Sequence, residues 1–176
     1  MQRSPDPGRA ATASARVQAL DARQFGVDTS CFVCDPRNDR GLRVPFFHDT
    51  EAQLVFCDFE LPAEFSGAPT LVHGGATLAL IDEGMAWATI AISGRFAFTR
   101  QTSARFDRPI RIGHHYRLEV RVAEADEHRI VTEAVVLDDR SKTRVTAHAV
   151  MAVLDLDQAA AAIGGPPTPA VTRHVP

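Results

Sequence analysis

His73-Gly74-Gly75-Ala76-Thr77-Leu78-Ala79-Leu80-Ile81-Asp82-Glu83-Gly84-Met85-Ala86-Trp87-Ala88-Thr89-Ile90-Ala91-Ile92 is the stretch on which the reading of this chain turns. It is too long for a strand and rich in Ala and Leu, so it reads as a helix. Apolar residues run nearly all the way round it, which predicts that other structure surrounds it on most sides. Two features interrupt that apolar character. Tandem glycines follow a histidine at its start, and two carboxylates, Asp82 and Glu83, sit midway along it.

Beyond Gly94 the pattern changes to period two. The segments 96–106, 115–124, 129–137 and 144–154 alternate Val, Ile, Leu, Thr or Tyr with polar residues, separated by turn-like breaks at 109–113, 125–128 and 138–142. Connections this short predict an antiparallel meander, because parallel strands need longer crossovers. Two extended segments precede the helix, at 42–47 and 53–61, followed by a loop containing Pro62, Gly67 and Pro69. The simplest way to bury the helix is an α+β fold in which one antiparallel sheet wraps around it.

The chain divides into a flexible leader (1–30), one folded domain (31–156) and a flexible tail (157–176) that opens on an alanine run and Gly164-Gly165-Pro166-Pro167. Within the leader, 11–25 reads as a short helix with Val17, Leu20 and Gln24 on one side. At 176 residues the chain suits a single core. A composition 45% hydrophobic and 23% charged is that of a globular protein, and a net charge of -3 lacks the basic footprint of a nucleic-acid binder. No signal-peptide core occurs near the start, and Asp6 and Asp21 count against a transit peptide. The longest apolar stretch, 76–92, is broken by Asp82 and Glu83, so no membrane span is expected. Three cysteines suit a reducing compartment better than a disulfide framework, and the expected location is the cytoplasm.

The first-turn N–H groups of a helix lack intrahelical partners and carry the positive end of its dipole. Gly74 and Gly75 would let a ligand's anion or carbonyl oxygen approach them closely; a flexible loop-to-helix junction, with His73 as cap, is the alternative. A carboxylate inside an apolar helix is costly unless paired, which marks Asp82 as either a functional group or half of an interior salt bridge. Glu83, on a neighbouring face, would pair with an Arg or reach solvent at a subunit edge. From Gly74 to Asp82 a helix rises about 12 Å. One chain's Gly74 amide and Asp82 carboxylate therefore cannot meet at one carbonyl. Two antiparallel copies of the helix would bring Gly74 of one beside Asp82 of the other, twice over in a twofold dimer.

His73-Gly74-Gly75 with an Asp nine residues after the His resembles the hotdog-fold thioesterases of the phenylacetate-degradation type, within the 4-hydroxybenzoyl-CoA thioesterase superfamily. The order of loop, motif helix and strands agrees over about 31–154. The resemblance implies that Asp82 is nucleophile or general base and that the Gly74 N–H polarises the thioester carbonyl. It further implies that a Ser or Thr ten residues before a strand-ending Pro assists from the opposite subunit's side; counting back from Pro109 gives Thr99. His73 completes the catalytic group, and Gly75 and Glu83 join the expected substrate contacts. The implied function is hydrolysis of acyl-CoA or a related thioester by a homodimer, or by a tetramer built as a dimer of dimers. Acyl identity, and whether CoA or a carrier protein delivers the acyl group, are left open.

Arg105, Arg108, Arg111, His114 and His115 bracket Pro109. They read either as a solvated strand end or as a docking patch for CoA phosphates, for which Arg is geometrically suited. Cys31-Phe32-Val33-Cys34 with Asn38 and Gly41-Leu42 resembles the start of a bacterial subset of the family, except that Asp35 stands where Gly usually follows the second Cys. A structural metal site wants four ligands and only Cys57 and His48 are nearby candidates, so packed thiols are expected and neither metal nor organic cofactor is needed. Met85 and Trp87 read as core or interface packing. Gly-x-Ser-x-Gly and phosphate-binding glycine loops do not occur, nor does the Asp, Asn-Pro, His pattern of hotdog hydratases. A non-catalytic acyl-thioester-binding protein is the other reading.

Overall fold

The second half of the chain forms the four long strands its alternation predicts: β6 (Ala97–Phe106), β7 (Tyr116–Ala125), β8 (Arg129–Asp138) and β9 (Thr143–Val153). They follow β1 (Val17–Leu20), β2 (Phe46–Asp49), β3 (Leu54–Phe59), the small hairpin β4 (Ser66–Ala68) and β5 (Leu71–Val72), and helix α1 (Gly74–Ala91). Helix α2 (Leu156–Ile163) comes last. This computed structural model describes residues 16–166.

Seven strands form one antiparallel sheet in the order β1-β2-β3-β7-β8-β9-β6. Only β7, β8 and β9 make the expected meander. Strand β6 pairs with β9 at the edge, nine registered pairs long, instead of beside β7. Period two predicts that a segment is extended but not which neighbour it takes, and the 107–115 connection is long enough to carry the chain across.

One face of the sheet supplies the core. Leu118 and Val120 of β7, Ile130 and Val136 of β8, and Val145 and Met151 of β9 are wholly buried, alternating with outward residues as a half-buried sheet requires. Against them α1 sets Leu80, Ile81, Met85 and Ala88, all at most 1% exposed. Gly84 lies tight against the sheet: a Cβ there would stand 3.0 Å from Leu118, 3.1 Å from Val120 and 3.2 Å from Phe46. The sheet covers one side of the helix. Its N-terminal half is open on the other side, where Leu78 is 37% exposed, so the surrounding expected from its composition is incomplete in one chain.

Three expectations change. The short helix over 11–25 is not formed: 11–15 lie outside the described residues, and the rest is strand β1 and a 3-10 turn, Ala22–Phe25. The strand expected at 42–47 begins only at Phe46. Leu42 and Val44 instead donate to the carbonyls of Phe32 and Val33, tying the Cys-x-x-Cys loop to the body. Part of the segment read as a tail is α2, begun by a capping box between Asp155 and Gln158 and docked through buried Ala159.

Candidate active site

His73 caps α1. Its Nδ1 accepts from the Gly75 N–H at 2.8 Å, which leaves the imidazole proton on Nε2. The cap explains the second glycine, since a Cβ on Gly75 would lie 2.9 Å from that Nδ1. The backbone of His73 is fixed in turn by donation to the Phe65 carbonyl at 2.8 Å. With Gly75 satisfied by the cap, and Ala76 and Thr77 both donating to the His73 carbonyl, the Gly74 N–H is the first-turn amide without an acceptor among the described residues. Around it there is room: a Cβ on Gly74 would meet only the Phe106 ring, at 3.9 Å.

Two turns further on, Asp82 accepts a hydrogen bond from the Thr99 hydroxyl, 2.8 Å from its Oδ1. Thr99 also approaches the Met151 sulfur at 3.5 Å. The sequence put these two residues in one mechanism, and the fold brings them into contact within one chain. A β-bulge between Thr99 and Gln101 resets the alternation of β6, so that Thr99, Thr102, Ala104 and Phe106 all turn to the helix side. Thr102, Ala104 and Phe106 on one side, and Gly75, Leu78, Ala79 and Asp82 of α1 on the other, line an open groove of about 540 Å³. Its wall is apolar, with one carboxylate in it.

Glu83 departs from its expected place. It lies away from the groove, with its carboxylate oxygen and the sulfurs of Cys31 and Cys34 all within 4.8 Å of one another. Burial pushes its carboxyl up to about 7. The Cys31 thiol is held down at about 5, chiefly by its hydrogen bond with Cys34, and the same bond, with burial, pushes Cys34 up. The two further ligand candidates weighed from sequence, where packed thiols are the expectation, are not in this cluster: Cys57 is wholly buried in β3, where burial raises its thiol, and His48 is buried in β2.

The cations around Pro109 divide. Arg105 is tied to Asp107 at 3.0 Å, whereas Arg108, Arg111, His114 and His115 line a cleft of about 400 Å³. The fold adds Arg140 and Lys142 from the β8–β9 turn, more than twenty residues further along, which local pattern could not associate with it. Arg144 also borders this cleft but is held by Asp138 at 2.6 Å. The cleft lies toward the start of α1: Val72 donates to the Ile110 carbonyl at 3.0 Å, and Leu71 bridges to Arg111.

Residues 70–145 match the family model described as the thioesterase superfamily. Among solved structures, a protein described as a thioesterase superfamily protein aligns with a TM-score of 0.62 at 23% identity, covering 66% of this chain and 57% of its own. A Streptococcus mutans protein solved bound to acetyl CoA aligns with a TM-score of 0.55 at 19% identity, covering 58% of this chain and 82% of its own. The E. coli PaaI protein of the phenylacetic acid degradation operon gives 0.55 at 16%, over 58% and 74% of the two chains. No curated protein matches this chain in sequence. No described helix is long and apolar enough to cross a membrane. The matched segment runs from the strand before α1 into β9 and contains Gly74, Asp82 and Thr99; over that segment the chain is similar to the thioesterase superfamily, and it shares the hotdog fold of these proteins.

Proposed function

We propose that this protein hydrolyses acyl-CoA or a closely related acyl thioester, in active sites shared between the two subunits of a homodimer. The observation that carries the reading is the Asp82–Thr99 hydrogen bond on an apolar groove whose helix begins with an unsatisfied amide. The thioester carbonyl oxygen accepts from the Gly74 N–H of one subunit, which stabilises negative charge as the tetrahedral intermediate forms. Asp82 of the other subunit either takes a proton from the attacking water or attacks the carbonyl itself. Thr99 donates to one carboxylate oxygen and leaves the other free to act. His73, through its cap, keeps Gly75 occupied and the helix end aligned.

Several features support a second copy at this face. Strand β6 is an edge strand ten residues long, and from Arg100 to Phe106 every residue is exposed. Leu78 and Phe106 stay 37% and 42% exposed beside it. An open edge next to an apolar groove is what a twofold partner would cover. The cleft of Arg108, Arg111, Arg140 and Lys142 at the start of α1 would receive the CoA phosphates, with the acyl group lying along the helix. That the S. mutans protein, which shares the fold, was solved bound to acetyl CoA supports a CoA thioester as the ligand class. The cytoplasm remains the proposed compartment.

Asp82→Asn is nearly isosteric but can neither attack nor accept a proton. Acyl-CoA turnover should fall by about 10²-fold or more, with binding of the CoA product retained. Wild-type turnover by the purified variant would remove Asp82 from the chemistry.

A further inference from the structure

On the face of α1 away from the groove, Cys31, Cys34 and Glu83 converge from two distant parts of the chain. Their two sulfurs and one carboxylate oxygen lie within 4.8 Å of one another. The Glu83 carboxylate interacts with Cys34, Cys31 and Asp82. Two sulfurs and a carboxylate thus share one partly buried place, a donor set able to hold a cation.

The cysteine turn is built in advance. Cys31 Sγ accepts from the backbone N–H groups of Val33 and Cys34 at 3.3 and 3.4 Å, an arrangement suited to a thiolate. Asp35, at the position after the second cysteine, accepts from both the backbone and the guanidinium of Arg37, and Arg37 reaches on to Asp28. Asn38 donates to the Ser30 and Cys31 carbonyls. The turn is therefore held by its own backbone, by Cys31 Sγ and by the Asp35, Arg37 and Asn38 side chains. Beside the cluster opens a cavity of about 290 Å³, lined by Glu83 and Trp87, one helical turn apart. Trp87 is 4% exposed, and its indole N–H has no acceptor among the described residues.

We propose that Cys31, Cys34 and Glu83 bind a divalent cation of the zinc type, with the fourth position open to the Trp87 cavity. Two thiolates and a carboxylate are a borderline-soft donor set that zinc accepts and that calcium or magnesium, which prefer all-oxygen ligands, do not. Tetrahedral zinc, with bonds near 2.3 Å to sulfur and 2.0–2.2 Å to oxygen, holds its ligand atoms roughly 3.5–3.8 Å apart. Side-chain adjustment of about an ångström brings the present cluster to that spacing. The water or other ligand completing the shell would lie at the cavity that Trp87 lines. The ion would pin the 28–44 loop to α1 at the residue next to Asp82. This assignment stands apart from the thioesterase reading, since it needs no substrate.

The test uses the full-length protein, reduced, stripped of metal by a chelator and titrated with Co²⁺. One Co²⁺ per chain should bind, with thiolate-to-cobalt charge-transfer bands and the intense visible bands of a tetrahedral site, and Zn²⁺ should displace it. The Cys31→Ser, Cys34→Ser double variant should lose these bands. Glu83→Gln should keep them but bind at least about tenfold more weakly, since even partners one shell further out alter affinity on that scale. Folding is checked by circular dichroism. Should the double variant not fold, protection of Cys31 and Cys34 from alkylation by Zn²⁺ in the wild type replaces it. A reduced, folded wild type that shows no bands overturns the proposal, as does undiminished binding in the cysteine variant or in Glu83→Gln. A Cys31–Cys34 disulfide as purified, with no metal uptake after reduction, would overturn it in favour of a redox pair.

Discussion

Gly74 and Gly75 occupy adjacent positions for opposite reasons. Gly75 gives its N–H to His73 and has no room for a side chain, whereas the Gly74 N–H has no acceptor and open space around it. In the proposed mechanism the oxyanion role therefore falls on Gly74. Thr99 is likewise separable from Asp82 by experiment. Its bond to an ionised acceptor belongs to a class whose loss costs about 1.5–3 kcal/mol, so Thr99→Ala should lower acyl-CoA turnover by about ten- to a hundredfold. Thr99→Ser, which keeps the hydroxyl, should restore most of it. Equal rates in the wild type and the alanine variant would make the bond incidental. At this scale the site was largely legible: a carboxylate in an apolar helix and glycines at its start are local anomalies, visible without a fold. The setting of Glu83 was not. Its partners Cys31 and Cys34 lie some fifty residues earlier, and only the return of the loop onto α1 shows that three ligands are close.

Among the elements, α1 packs tightly on β7 and β2 at Gly84. A valine there would drive methyl groups into Leu118, Val120 and Phe46. Overpacking of this kind costs about 1–3 kcal/mol. Near 3 °C per kcal/mol for a chain of this size, Gly84→Val should lower the melting temperature by about 3–9 °C in a thermal scan. An unchanged melting temperature would show a looser helix–sheet contact. The basic cleft is also an element-scale feature, since it needs the β8–β9 turn to come beside the segment before β7. Replacing Arg111 and Arg140 together by Ala should raise KM for acyl-CoA and leave a short thioester without the nucleotide unaffected. Equal effects on both substrates would deny the cleft a role in gripping phosphates. Strand identities were readable from alternation and turn residues, whereas the pairing of β6 with β9 was not, because register and neighbour depend on contacts distant in sequence.

For the whole molecule, the proposed mechanism needs a second chain. The Gly74 amide and Asp82 stand about 12 Å apart along one helix, too far to act on one carbonyl. The face they share ends in the unpaired edge of β6. A twofold partner would close that edge and unite each amide with the opposite carboxylate. The two defects can be made separately. Gly74→Pro removes only the N–H: the first helical position tolerates proline, His73 already has the extended backbone (φ -62°, ψ 131°) that precedes one, and the nearest atom to the new side chain's base is 3.9 Å away. Asp82→Asn removes only the carboxylate. Each variant alone should be nearly inactive toward acyl-CoA. Heterodimers of the two, isolated by differential tags and confirmed as folded, should recover up to about half of wild-type activity, because one of their two interface sites has both groups intact. Heterodimers no more active than either parent would contradict a site shared between subunits.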